Sequence, residues 1–588
     1  MERDGHPGGL SSSTLRGALR AALPPLLYVA LAVALFHSAW AAPMSTTVGG
    51  HGDADASIWY HAWTPYALSH GHDPLLTDHL NFPGGVNLMW QTSQPLVGLL
   101  AWPVATLGNH YLAYDVVMTL GLALSAWCAF LVFRRWISWR PAAFAGGLVY
   151  GFSPYMAAHA LGHANLVVAF VPPLILGVLD EILVRQRRSA LRAGLLLGAL
   201  AAVQFYVAEE LLATEAIMAA AAVVVLALLH RDRVRLRAEH ALRAIGAAAV
   251  VALVLCAPAI AVQFLGPNRL GGQFQHPGGF SSDLLNFVVP TGVQQLVPGT
   301  ATRIAQHFTG NTSEQTGYLG LPLVLILAYT VWRFRAVIWV RAVALIGVVA
   351  AVLSMGPTLH VDGHATHIPL PWVVFEHLPV AANIVPGRLM LYAFLMAGLL
   401  LALFVDHLRR DAHTSRARAA GGAAVLALAV IALLPTFAFP FAPHSDPPFF
   451  TAGGDVQRIP QGATALVAPF VARGDQVDPE TWQVAADFRF RMPSGYVLLP
   501  NPAGGDHLIG PQLRPLSQAM VDIATGATPP VLTAALRAQM QDDLRYWHTS
   551  VVIAGPMVHQ DAMLQFLGDL LGAAPQQDQG VAVWWLPS

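Results

Sequence analysis

A polytopic α-helical membrane protein with a small C-terminal extracytoplasmic α/β domain is the fold class that three observations predict. The 588 residues are 55% apolar and 11% charged, their mean hydropathy is +0.53, and the apolar residues gather in bilayer-length runs that cease near residue 440. A soluble chain of this length would split into several domains and need roughly a quarter of its residues charged. With 32 basic residues against 33 acidic ones and no long basic run, nucleic acid is excluded as a partner. No lysine occurs, so lysine Schiff bases, lysine general bases and lysine phosphate loops are excluded too. Cys128 and Cys256 fall in apolar runs and imply neither a disulfide framework nor a cysteine metal site.

The first apolar run, Ala21 to Trp40, follows Arg3, Arg16 and Arg20, which places the N-terminus in the cytoplasm. Its Ala-Trp-Ala-Ala end also resembles a signal-peptide cleavage site, but the many later spans favour a retained helix. Further runs centre on 111–133, 141–157, 165–183, 191–207, 211–229, 241–263, 316–332, 336–354, 388–405 and 420–440. Together they give about eleven transmembrane helices, with the arginine clusters at 134–140, 185–192, 231–243, 333–341 and 409–418 all cytoplasmic. Pro95 to Leu107, short and with two prolines, reads as an interfacial helix. Residues 1–440 then form the membrane domain, with external loops 41–110, 264–315 and 355–387, and 441–588 form the second domain. That tail alternates β-like runs, Ala463 to Ala468, Tyr496 to Leu499, Val551 to Ala554 and Val581 to Leu586, with helix-like stretches Thr533 to Leu544 and Gln560 to Leu571. Its histidines, His507, His548 and His559, are too scattered to read as ligands. Cytoplasmic connections are short and carry no nucleotide-binding motif, so ATP and NAD chemistry are not expected.

The most informative stretch is Gly50 to Tyr60, GHGDADASIWY, about ten residues beyond the first span. Asp53 and Asp55 there suit deprotonation of an acceptor hydroxyl, or a divalent cation, Mg²⁺ or Mn²⁺, held against a phosphate. Asp55 also reads as the cap of a helix over 56–68.

An external loop opening on this Asp-x-Asp-like motif, followed by an interfacial helix, many spans and an external C-terminal domain, resembles the GT-C superfamily of polytopic glycosyltransferases. Asp73-Pro74-Leu75, Phe82-Pro83-Gly84-Gly85, Gly108 to Tyr114, and Tyr150 to Tyr155 leading to His159 and Gly162-His163-Ala164-Asn165 are similar to its bacterial branch. The resemblance covers roughly residues 45–410. It implies a polyprenyl-phosphate-linked sugar as donor, a glycan, lipid or protein acceptor, inversion at the anomeric carbon, and a site on the outer face of the bacterial plasma membrane. It also implies that Asp53 or Asp55 lies at the reaction centre, without saying which is the base.

Arg388 stands at the external mouth of a span, against the positive-inside bias, where it meets a lipid phosphate, snorkels to the outer interface or pairs with Glu376. Glu209, Glu210 and Glu215 cluster at an outward turn, and a carboxylate at 215 enters the membrane, where it must face a polar interior. His159, His163 and Asn165 lie on the same external side; the i, i+4 histidines have metal-pair spacing but no zincin glutamate, which favours hydrogen bonding to substrate. His307, Asn311, Glu314 and Tyr318 form a polar approach to a later span, beside a glycine-rich loop over 271–279. Arg269 and Arg303, and the histidines at 360, 364 and 367, read as loop surface. A transporter or lipid flippase is the competing class, but no internal repeat appears and the polar residues gather at helix mouths rather than mid-span.

Overall fold

The computed structural model describes residues 12–273, 278–378, 380–413, 415–502, 504 and 507–587. Arg3 and residues 274–277 of the glycine-rich loop lie outside the described residues. Among those described, 7 helices are long and apolar enough to cross a membrane: His110–Phe133, Ala164–Arg185, Ala190–Val207, Glu209–Leu229, Arg231–Leu265, Pro386–Asp411 and Arg416–Leu433. Shorter apolar helices, Ala21–Leu35, Pro95–Leu107, Leu321–Arg333 and Ile338–Ser354, pack beside them. The protein is a multi-pass membrane protein.

Two expected runs differ in extent. The stretch over 141–157 forms a 12-residue helix, Arg140–Gly151, and then a separate short one, Pro154–His159. Ser153 causes the break by accepting a hydrogen bond from the Met156 amide, with Pro154 at the first helical position. The last helix stops at Leu433, just before Pro435, rather than near 440. In the bundle centre, a β-carbon on Gly146 would lie 2.5 Å from the Gly398 carbonyl, so the Arg140–Gly151 and Pro386–Asp411 helices meet backbone to backbone.

The two ends of the bundle differ in chemistry. At one end Arg135 and Arg185 pair with Asp180 at 2.9 and 2.6 Å, Arg185 lies over Trp136 and Arg409 over Trp139. Followed to their other ends, the His110–Phe133 and Pro386–Asp411 helices bring His110 and Arg388 to the opposite face, where Glu209 and Gln263 also lie.

The tail contains a five-stranded sheet in the spatial order Gln576–Asp578, Val581–Trp585, Thr549–Ala554, Ala463–Ala468, Phe490–Arg491. Its two central strands are parallel. Strand alternation sends Ala465, Val467, Val551 and Ile553 to one face and Leu466, Ala468, Val552 and Ala554 to the other. The second face is covered by the tail's own helices through Leu516, Met520, Met563 and Phe566. The first is covered by Trp59, Trp63 and Tyr66 of the Asp53–His70 helix, which belongs to the first loop. A second tie joins the same regions: Thr46–Val48 pairs antiparallel with Phe441–Pro443, just after the last membrane helix. The sheet thus fixes the helix that carries Asp53.

Candidate active site

Asp53 is the first residue of its helix. Gly52 precedes it with φ +90, and a β-carbon there would sit 2.7 Å from the Gly474 carbonyl oxygen, so only glycine lets the chain turn into the helix at this point. The Asp53 side chain is 49% exposed. His163 Nε2 lies 3.1 Å from Asp53 Oδ2, and the Tyr496 hydroxyl donates to Oδ1 at 3.1 Å. Burial pushes the Asp53 carboxyl up, but the His163 hydrogen bond and charge, the Tyr496 hydroxyl and the Arg388 charge outweigh it and hold it below the usual carboxylate range.

His163 occupies the N-cap position of the short Ala164–Val167 helix, its side chain free of any capping bond. Its Nδ1 lies 3.2 Å from Nδ1 of His159 and 4.0 Å from Glu314 Oε1. Burial, then the charges of His163 and Arg388, hold His159 well below the ordinary histidine value, so it is a neutral imidazole. Arg388 is clasped by two carboxylates: Nη2 to Glu314 Oε1 at 2.5 Å, Nε to Glu314 Oε2 at 3.3 Å, and Nη1 to Glu210. Glu210 also accepts the Val385 amide at 2.9 Å, and Glu209 accepts from Gln263 at 2.7 Å. Arg388 therefore pairs with Glu210 and Glu314 rather than with Glu376.

These groups border a cavity of about 1050 Å³. Asp53, His163, Asn165, Glu209, Glu210 and Arg388 line its polar end, Phe205, Ile260 and Phe264 form an apolar wall, and Tyr496 and Leu498 of the tail close one side. A polar pocket continuous with an apolar groove between helices suits a ligand with a polar head and an apolar chain. Two carboxylates, those of Glu210 and Glu314, clasp the guanidinium and Asp53 lies within reach of its charge, so a phosphate entering here needs a further positive charge. The donor atoms fit a divalent cation: His159, His163 and Glu314 each offer a ligand atom, all within 4.8 Å of one another.

Three of the expected residues face elsewhere. Asp55, fully buried, accepts the Gly52 amide at 2.8 Å and faces His51 and His444. Because the helix begins at Asp53 rather than at 56, residues 53 and 55 point to different sides, and the two carboxylates do not share a cation. Glu215 is 5% exposed in the bundle interior with neither oxygen hydrogen-bonded, and does not line the cavity. His307 pairs with Asp362 at 2.9 Å on an exposed loop. Sequence reasoning missed Tyr496 and Gln263: a lone tyrosine 443 residues from its partner has no local signature.

Fold and cavity define the class: a multi-pass membrane protein of the GT-C fold with a polar cavity at one end of its bundle. The chain belongs to the family described as "Domain of unknown function (DUF6311)", which matches residues 25–380. No curated protein matches it. Among solved structures it is similar to the apo oligosaccharyltransferase of Archaeoglobus fulgidus, at 12% identity, covering 91% of this chain and 69% of that one with a TM-score of 0.53. It is also similar to the arabinofuranosyltransferase AftD from Mycobacteria, at 13% identity, covering 99% of this chain and 40% of that one with a TM-score of 0.50. A looser match is ArnT from Cupriavidus metallidurans bound to undecaprenyl phosphate, at 13% identity, covering 95% and 97% with a TM-score of 0.45.

Proposed function

We propose that this protein is an inverting glycosyltransferase that moves a sugar from a polyprenyl-phosphate donor to a hydroxyl of an envelope glycan, lipid or protein, at the outer face of the bacterial plasma membrane. The observation that carries this reading is the ionised, half-exposed Asp53 carboxylate at the polar end of a cavity whose other wall is apolar. The donor's prenyl chain lies along Phe205, Ile260 and Phe264, and its headgroup reaches Arg388 and His163. In the transfer, the acceptor oxygen bonds to the anomeric carbon as the bond from that carbon to the phosphate oxygen breaks. The electron pair leaves with the phosphate, and the acceptor's proton passes to Asp53 Oδ1 or Oδ2. His163 and Tyr496 hold the carboxylate toward the acceptor. Glu210 and Glu314 fix the Arg388 fork, and Asn165 and Glu209 offer hydrogen bonds to sugar hydroxyls. A divalent cation held by His159, His163 and Glu314 would supply positive charge at the departing phosphate.

The test is transfer of labelled sugar from a panel of polyprenyl-phosphate sugars by the protein in lipid. Asp53→Asn should lower transfer by about 10²- to 10⁴-fold, the contribution of a positioned general base. Absence of both transfer and donor binding across the panel, or full activity in folded Asp53→Asn protein, sinks the reading.

A further inference from the structure

Beside the start of the Asp53–His70 helix, turned away from the cavity, three ligand-type side chains converge. His51 Nδ1 lies 3.3 Å from Asp55 Oδ2, and His444 Nδ1 lies 3.5 Å from Asp55 Oδ1. Donor atoms of all three fall within 4.8 Å of one another. Hydrogen bonding inside the protein does not account for this arrangement. The Gly52 amide satisfies Oδ2, but Asp55 Oδ1 and His444 Nδ1 are buried without a hydrogen-bond partner. Both side chains are 1% exposed, and 3.5 Å is too long for a good N–H···O bond. A His51–Asp55 ion pair uses Oδ2 and leaves both orphans unexplained.

A four-coordinate zinc ion, with nitrogen and oxygen ligands at roughly 2.0–2.1 Å, places neighbouring ligand atoms about 3.3 Å apart. The His51 Nδ1 to Asp55 Oδ2 separation of 3.3 Å matches that edge, and His444 Nδ1 lies 3.5 Å from the other oxygen of the same carboxylate. His444 presents Nδ1 because its Nε2 is engaged by the Thr47 hydroxyl at 2.8 Å, the outer hydrogen bond that orients metal-bound imidazoles. Its ring also stacks on Tyr111, whose hydroxyl donates to Asp446 at 2.7 Å. Among the described residues, Asp55 and Asp446 form ion pairs with histidines and none with arginine. His51, with its side chain 43% exposed, gives an ion a way in and leaves room for a water as fourth ligand.

We infer that His51, Asp55 and His444 form a second, structural site for a zinc-class divalent metal, which fastens the start of the Asp53–His70 helix to the strand that follows the last membrane helix. Two imidazoles with one carboxylate favour a transition metal over Mg²⁺ or Ca²⁺. The ion would tie residue 55 to residue 444 and thereby set the position of Asp53 without touching substrate. Chemically it is separate from the His159, His163 and Glu314 donors.

The full chain, purified in lipid nanodiscs without a histidine tag, is stripped with chelator, re-equilibrated with Zn²⁺ alone, and its metal content measured. His51→Ala and His444→Ala should each hold one equivalent less than wild type, whereas the Asp53→Asn/His163→Gln double variant should keep that equivalent. Co²⁺ in place of Zn²⁺ should give the visible bands of a four-coordinate site, lost in the same two single variants. Zn²⁺ should raise the Tm of wild type by more than it raises that of His51→Ala, which keeps the His159, His163 and Glu314 donors. Equal zinc content in wild type and the single variants, or an equivalent lost only with Asp53 and His163, overturns the assignment. Should His444→Ala fail to fold, the half-exposed His51→Ala decides alone. None of these readouts depends on sugar transfer, so their failure and that of the transferase reading are distinguishable.

Discussion

Asp53 is held ionised by groups from distant stretches of chain: His163 from the turn before a membrane helix, Arg388 from the mouth of another, and Tyr496 from the tail. Of these, Tyr496 can be removed with least disturbance, since phenylalanine keeps the ring and loses only the hydroxyl. That hydroxyl donates to the carboxylate and favours its charged form, so its loss makes Asp53 easier to protonate. If Asp53 is the base, as proposed, transfer needs the ionised form and is lost as pH falls through the Asp53 pKa. The acid limb of the kcat/KM profile should therefore move to higher pH in Tyr496→Phe, with a smaller loss at neutral pH than in Asp53→Asn. Superimposable profiles would show that Tyr496 does not act on the carboxylate. Asp55, two residues on, belongs to another neighbourhood because helical geometry turns it toward His51 and His444.

At the scale of elements, the Asp53–His70 helix joins the two parts of the chain. Trp59 and Trp63 stack with ring centroids 5.3 Å apart, Trp59 is fully buried, and its indole N–H donates to Gln483 Oε1 at 2.6 Å. Trp59→Ala should destabilise the protein by about 3–5 kcal/mol, the usual range for emptying a large aromatic from a core, and should leave the Gln483 oxygen without this donor. Thermal unfolding should show a lower Tm, and transfer should fall with it because the helix sets Asp53; an unchanged Tm would mean that the sheet does not hold the helix. Elements with strong local periodicity were legible in the sequence: the strand Ala463–Ala468 and the helix Gln560–Leu571 fall where the pattern puts them. The pairing of Thr46–Val48 with Phe441–Pro443 was not, because three-residue strands so far apart leave no local pattern. Arg388 was legible because a charged group at the mouth of an apolar helix is costly and so conspicuous; Asp53 was legible from its spacing to Asp55 just after the first span, and His163 from its i, i+4 spacing to His159. His444, in the Pro/Phe-rich stretch after the last span, and Tyr496, at the start of a short apolar run, carry no local signature, and only the folded chain reveals their partners.

At the scale of the whole molecule, the two ends of the bundle make opposite demands on the membrane. One end concentrates arginine, around Arg135, Arg185 and Arg409, and short arginine-rich connections stay in the cytoplasm. The other holds the cavity and, through the Asp53–His70 helix, the tail sheet. If both follow the arginine bias, Ala417, exposed at the start of the last membrane helix, faces the cytoplasm, and Thr528, exposed in the tail, faces outward. The native cysteines, Cys128 and Cys256, are buried, which leaves an introduced thiol as the accessible one. A membrane-impermeant maleimide should therefore label Thr528→Cys in intact cells stripped of their outer layers, and Ala417→Cys only after the membrane is opened. The reverse pattern would put the cavity on the cytoplasmic side, where a donor flipped to the outer leaflet could not reach it, and would remove the outer-face assignment while leaving the geometry around Asp53 intact.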